Sequence, residues 1–195
     1  MTTEFRKDLS HLTWKEVFVR QQQRSFLLPA WFEGLHLKPG DHVLDLGAGP
    51  GYVSGQMASL VGSTGLVYAV DREGEALTYL REVMQRQQMA TIRCIVADVL
   101  SLHVEDEQVS AVLLSMMLHH SDDPAALIGK LASLLPSDAW AVIAEFHPDG
   151  PACSGPPRET RLSPEQLEQW CQQAGLCVIH YARQSEEHYM LTVHH

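Results

Sequence analysis

The segment Val43-Leu44-Asp45-Leu46-Gly47-Ala48-Gly49-Pro50-Gly51-Tyr52 constrains this chain more than any other. Its apolar start reads as a short strand. Three glycines at alternate positions then allow a tight turn and let the backbone pass close to a ligand. A helix N-terminus follows, with amides that the helix itself cannot satisfy. Strand, glycine turn and helix in that order belong to an open parallel sheet, where ligands sit beyond the carboxyl ends of the strands.

The rest of the chain keeps this alternation. Thr13-Trp14-Lys15-Glu16 fits a capping box that starts a helix. Pro29 should kink or restart it. Strands are expected at 43–46, 66–70, 92–96, 111–115 and 140–145. Helices are expected at about 52–60 and 75–88, and from Asp123-Pro124 onward. In the helix at 75–88, Ala76, Leu77, Leu80, Val83 and Met84 share one face. Apolar runs separated by helices mean parallel strands covered on both sides. Residues 147–162 are rich in Pro and Gly and form a loop long enough to be functional. Ser163-Pro164-Glu165-Gln166 caps a last helix, which ends near Gly175. Two strands follow at 177–182 and 189–193, antiparallel because no helix lies between them.

Composition sets limits on partners. The 195 residues suit one domain, residues 1–195, with a proper core. The formal net charge of −10 argues against a phosphate-tracking surface, so neither nucleic acid nor an anionic membrane is expected. Cysteines at 94, 153, 171 and 177 form no Cys-x-x-Cys pair. That pattern reads as a reduced, cytoplasmic protein with buried thiols and no metal. The start, Met1-Thr2-Thr3-Glu4-Phe5-Arg6, lacks the apolar run of a signal peptide.

Two carboxylates extend the glycine turn into a ligand site. Asp71 closes the second strand 20 residues after Gly51, where it can accept both hydroxyls of a ribose. Asp98 follows the third strand, where an acceptor can meet an adenine amino group. A dinucleotide fingerprint, G-x-G-x-x-G, would need glycine at position 52, which is Tyr52. The G-x-G-x-G found here lacks the third glycine used for close helix packing. No P-loop motif occurs. A nicotinamide-dependent oxidoreductase stays open as a lesser alternative.

Asp45-Leu46-Gly47-Ala48-Gly49-Pro50-Gly51 resembles motif I of the class I S-adenosylmethionine-dependent methyltransferases. Val70-Asp71 resembles their ribose site and Ala97-Asp98-Val99 their adenine site. Ser115-Met116-Met117-Leu118-His119-His120 resembles the segment after strand four in the small-molecule branch called UbiE-like or methyltransferase-11-like. The resemblance implies an α/β, Rossmann-like, doubly wound seven-stranded sheet of order 3-2-1-4-5-7-6, with strand seven antiparallel. It implies S-adenosylmethionine as the cofactor. Gly47, Gly49 and Gly51 would make room for its methionine and ribose parts, and Asp45 would lie near its amino group. Asp71 would take the ribose hydroxyls, Asp98 and Val99 the adenine, and Ser115 the methionine end. Ala48 and Arg72 complete the expected cofactor set. The [ND]-P-P-[YF] signature of nucleic-acid amino methylation is absent at Ser115-Met116-Met117-Leu118, and the Asn-Arg pair usual in quinone C-methylating members is not seen.

Methyl transfer is an in-line displacement in which the protein positions the nucleophile and can remove its proton. The candidate catalytic residues on the same rim are His119, His120 and His147, with Glu145 a further carboxylate there. Residues 1–36 are expected to form a helical lid with Trp14, Phe18, Arg20 and Arg24. Residues 37–146 form the cofactor core, 147–162 the substrate loop, and 163–195 a helix and antiparallel strands. Arg158 and Arg161 are candidates for an anionic group, with a salt bridge to a carboxylate their commoner fate. The chain has no long insertion between strands five and six, so the pocket is small or is completed by a second subunit in a homodimer. The expected activity is methylation of O, N, S or C in a small-molecule acceptor. The alternative is a cofactor-binding module or partner subunit without catalysis.

Overall fold

Several helix starts have a clear chemical reason. Thr13 caps α1 (Trp14–Gln23): its hydroxyl accepts from the Glu16 amide, and the Glu16 carboxylate takes the Thr13 amide at 2.7 Å. The chain passes through a short turn at Ser25–Leu27 and restarts as α2 (Leu28–Gly34), with Pro29 in the first turn where no hydrogen bond is lost. Gly51 precedes α3 (Tyr52–Val61), and α4 (Gly74–Gln87) follows it. Asp123 and Ser163 cap α5 (Pro124–Leu134) and α6 (Pro164–Gln173), accepting from the amides of Ala126 and Gln166. The computed structural model describes residues 12–104, 109–153 and 155–195. Residues 1–11 of the expected lid, and Ser154 of the 147–162 loop, lie outside the described residues.

The strands are β1 (His42–Leu46), β2 (Leu66–Asp71), β3 (Ile92–Val96), β4 (Val109–Ser115), β5 (Trp140–Phe146), β6 (Cys177–Arg183) and β7 (His188–His194). They form one sheet of order β3-β2-β1-β4-β5-β7-β6, with β7 antiparallel to β5 and β6. This is the order that the motif resemblance implied. Both faces are covered, so alternate strand residues enter two cores. Leu44, Leu114 and Ile143 pack with Leu131 of α5 and Leu167 of α6. Val43 and Leu113 pack with Trp31 of α2, Met57 of α3 and Leu77 of α4. The Trp31 Nε1 donates to Gln184 Oε1 at 2.8 Å, which ties α2 to the β6–β7 turn. No helix among the described residues is long and apolar enough to cross a membrane.

The structure corrects one expectation and adds to another. The cysteines were expected to be buried, but only Cys171 is; Cys153 and Cys177 are exposed, the latter because β6 is the sheet edge. Gly51, expected to make room for a ligand, also has a packing role: a Cβ there would stand 2.6 Å from Leu80 Cδ2 of α4, at a φ of +82° that L side chains rarely adopt. Close packing between helices is thus achieved one position earlier than the dinucleotide fingerprint requires. Gly51→Ala should therefore cost about 2–4 kcal/mol from combined backbone strain and overpacking. Urea denaturation measures this, and a loss below about 0.5 kcal/mol would contradict the packing role.

Candidate active site

The turn after β1 is satisfied by hydrogen bonds from three directions. The amides of Gly47 and Ala48 both donate to the Val70 carbonyl, at 2.9 and 3.0 Å. The Gly49 amide donates to Asp71 Oδ2 at 2.7 Å, and the Glu73 amide donates to Asp71 Oδ1 at 2.9 Å. Burial pushes the Asp71 carboxyl above its usual range, against the opposing pull of those two amides. From above, Gln21 of α1 closes the turn: its Nε2 donates to the Ala48 carbonyl, and its Oε1 accepts from the Tyr52 amide, each at 3.0 Å. Nothing in the sequence singles out Gln21 from the run of three glutamines around it.

These elements wall a cleft of about 1800 Å³. Ligand pockets usually measure roughly 300–1,000 Å³, so this cleft has room for a nucleoside and a second small molecule. Residues of α1 and of the loop after β5, Arg24, Pro156 and Arg158 among them, line the cleft together with the glycine turn. Of the expected cofactor residues, Gly47, Gly49, Asp71, Arg72, Asp98 and Val99 line the cleft, as does Ser115. Asp98 also caps a short turn, accepting from the Leu100 amide at 2.8 Å. Asp45, Ala48 and Gly51 lie behind the wall. Asp45 is 2% exposed and accepts the Ser54 hydroxyl at 2.5 Å.

The expected catalytic residues separate in the same way. Met116 has a φ of +52°, an uncommon conformation for a side-chain-bearing residue, and it turns the chain sharply after β4. His119 and His120 follow it and both line the cleft, their rings 4.2 Å apart. His119 Nδ1 meets Glu145 Oε2 at 2.7 Å, with both side chains buried. Glu145 sits behind His119, and its other oxygen accepts the Leu118 amide at 2.7 Å. Burial raises the Glu145 carboxyl, but the His119 imidazole and the Phe146 and Leu118 amides outweigh it and hold the group below its usual range. His147 points away from the cleft, because the chain bends after β5. Its Nδ1 accepts the Asp149 amide at 3.1 Å and its ring packs edge-on against Tyr189. Arg161 is bound internally by Glu187 at 2.5 Å and by the Pro156 and His147 carbonyls. Arg158 lines the cleft and donates to the Gly150 carbonyl at 2.9 Å.

Residues 37–194 match a family described as a methyltransferase domain. The chain belongs to that family, the class I S-adenosylmethionine-dependent methyltransferases. Over 138 residues, 70% of this chain, it is 33% identical to a 2-phytyl-1,4-naphthoquinone methyltransferase of Trichormus variabilis, and it spans only 55% of that relative's length. The fold is similar to that of a SAM-dependent methyltransferase from Aquifex aeolicus, with a TM-score of 0.84, 20% identity, and coverage of 97% of this chain and 98% of the other. It is also similar to an O-methyltransferase from neocarzinostatin biosynthesis, solved with S-adenosyl-L-homocysteine and 1,4-dihydroxy-2-naphthoic acid. There the TM-score is 0.66 at 18% identity, covering 80% of this chain and 49% of the other.

The residues of this chain fit the family's cofactor. Gly47 has a φ of +77° that L side chains rarely adopt, and a Cβ there would also crowd Met117 Sδ at 2.8 Å, so glycine suits this position at the cleft floor. Asp71, Glu73, Glu75 and Asp98 line that end and favour a cationic ligand. Asp45 adds a stability effect. Burial raises its carboxyl to about 7, with the Ser54 hydroxyl opposing. Its folded value lies above its unfolded one, so its contribution to stability is present below about pH 4 and is lost as pH rises to about 7. Relative to Asp45→Asn, the protein should lose stability across that window, by at most about 4 kcal/mol at roughly 1.4 kcal/mol per pH unit. Urea titrations of both proteins at several pH values check this; parallel curves would contradict it.

Proposed function

We propose that this chain transfers the methyl group of S-adenosylmethionine to a small-molecule acceptor whose nucleophilic atom gives its proton to His119. The observation that carries the reading is the pairing, across one cleft, of the acid-lined glycine turn with the buried His119–Glu145 pair. Bound S-adenosylmethionine supplies an electrophilic methyl group on a cationic sulfonium. Asp71 would hold the ribose hydroxyls, Asp98 and Val99 the adenine, and Gly47, Gly49 and Ser115 the methionine end. Asp45, Ala48 and Gly51 would act through the turn they support, and Arg72 would close the ribose side. Glu145 accepts at Nδ1 of His119, so Nε2 is the basic nitrogen of the neutral ring. Nε2 would take the acceptor's proton, and Glu145 would stabilise the resulting imidazolium. Glu145 is thus a positioning residue, and His120 shields the outer face of the His119 ring. Helix α1 and the 147–162 loop would exclude water as lids.

The naphthalene-type compounds named for two similar proteins support a flat aromatic acceptor. The net charge of −10 supports a small molecule over nucleic acid, and the cysteine pattern supports a reducing compartment such as the cytoplasm. Formation of S-adenosylhomocysteine with a panel of phenols and naphthols tests the activity. Asp71→Ala should weaken S-adenosylmethionine binding at least tenfold by calorimetry. His119→Phe should keep that affinity and lower kcat by about 10²–10⁴, the usual range for a general base. Unchanged kcat in His119→Phe would remove the base from the mechanism.

A further inference from the structure

His188, the first residue of β7, carries a polar atom that the fold leaves unanswered. The residue lines the cleft and is only 4% exposed. Its Nδ1 lies 2.9 Å from the Ser185 hydroxyl oxygen. That oxygen already accepts two amides, from Glu187 and His188 itself, both at 3.1 Å. A hydroxyl has two lone pairs and one hydrogen, so the Ser185 hydrogen is left to donate to Nδ1. Nδ1 is therefore the acceptor and Nε2 carries the ring proton. Burial, followed by the nearby Arg24 guanidinium, lowers the His188 imidazole to about 4, consistent with a neutral ring. Yet Nε2 is buried and has no hydrogen-bond partner among the described residues. An unanswered buried donor is destabilising, and an oxygen acceptor would relieve that cost.

The surroundings indicate the chemistry of that oxygen. The imidazole lies 4.8 Å from the Phe146 ring, and the Phe26 ring stands edge-on to it at 6.1 Å. The Arg24 guanidinium lies 5.6 Å from the Phe146 centroid, lines the cleft, and makes no ion pair with a carboxylate among the described residues. The other charged groups near His188 are committed: Arg161 to Glu187, and Glu145 to His119. We propose that the Nε2–H of His188 and the guanidinium of Arg24 form a subsite for a carboxylate on the acceptor, whose flat body lies against Phe146. The proposal rests on the methyltransferase reading and specifies its substrate class: an aromatic acid. The His119 ring stands edge-on to the same Phe146 ring at 5.5 Å, so one compact molecule can reach both the subsite and the base.

The probes are 1,4-dihydroxy-2-naphthoate and 1,4-dihydroxynaphthalene, titrated calorimetrically into the full chain with S-adenosylhomocysteine present. They share a ring system and differ in the carboxylate. The wild type should bind the acid at least tenfold more tightly, as charge-assisted hydrogen bonds lead one to expect. His188→Phe, which keeps an aromatic ring, and Arg24→Met should each reduce that preference to under threefold and leave S-adenosylmethionine affinity unchanged. A ¹⁵N–¹H imidazole spectrum gives a readout independent of both variants: His188 should show the Nε2–H tautomer, with a signal that moves when the acid binds. Equal affinity for the two probes, a preference that survives both variants, or an Nδ1–H tautomer would overturn the subsite. Failure to bind S-adenosylmethionine, measured separately, would instead overturn the methyltransferase reading.

Discussion

The cleft depends on the hydrogen bond from the Gly49 amide to Asp71 Oδ2, 2.7 Å long. It joins the carboxyl ends of β1 and β2, where the backbone of an open sheet would otherwise splay. Gly49 can present its amide in that direction because it sits at a φ of +57°. The Val70 carbonyl takes the two preceding amides, and Gln21 takes the carbonyl and amide that remain on the lid side. A turn so fully bonded holds its shape without a ligand, which lowers the ordering cost of binding one.

Charge is uneven along the cleft. Carboxylates gather at the ends of β2 and β3, where Asp71, Glu73 and Asp98 stand. The Arg24 guanidinium lines the same cleft beside Phe146 and His188. In a site partly shielded from water such fields act over the length of a small ligand. The carboxylates favour a cationic group at their end, and the guanidinium favours an anionic one beside it.

Burying a carboxylate as deeply as Glu145 is costly unless its oxygens are occupied. Here Leu118 and Phe146 supply amides and His119 supplies an imidazole. The chain makes this possible by forcing Met116 to a positive φ directly after β4. Strain of that kind costs on the order of 1–3 kcal/mol and persists where surrounding structure holds it. Its effect is to present His119 and His120 to the cleft, an arrangement no periodicity in the sequence announces.

The alternation of strands and helices, the capping of α1, α5 and α6, and the glycine turn were all legible in the sequence, because each follows from local chemistry within about ten residues. The same holds for the cleft positions of Asp71 and Asp98, which are set by where β2 and β3 end. Other assignments turned on contacts between distant segments. Gln21 meets Ala48, Glu145 meets His119, and Arg24 approaches His188, all across elements far apart in the chain. Asp45 and His147 show the converse: their residue types suit a ligand site, but the sheet turns one toward Ser54 and the bend after β5 turns the other toward Tyr189. Residue type and spacing determine which groups stand at the ends of strands. Which of them face the cleft, and which partner sets their proton, is decided by how the two cores pack the helices onto the sheet.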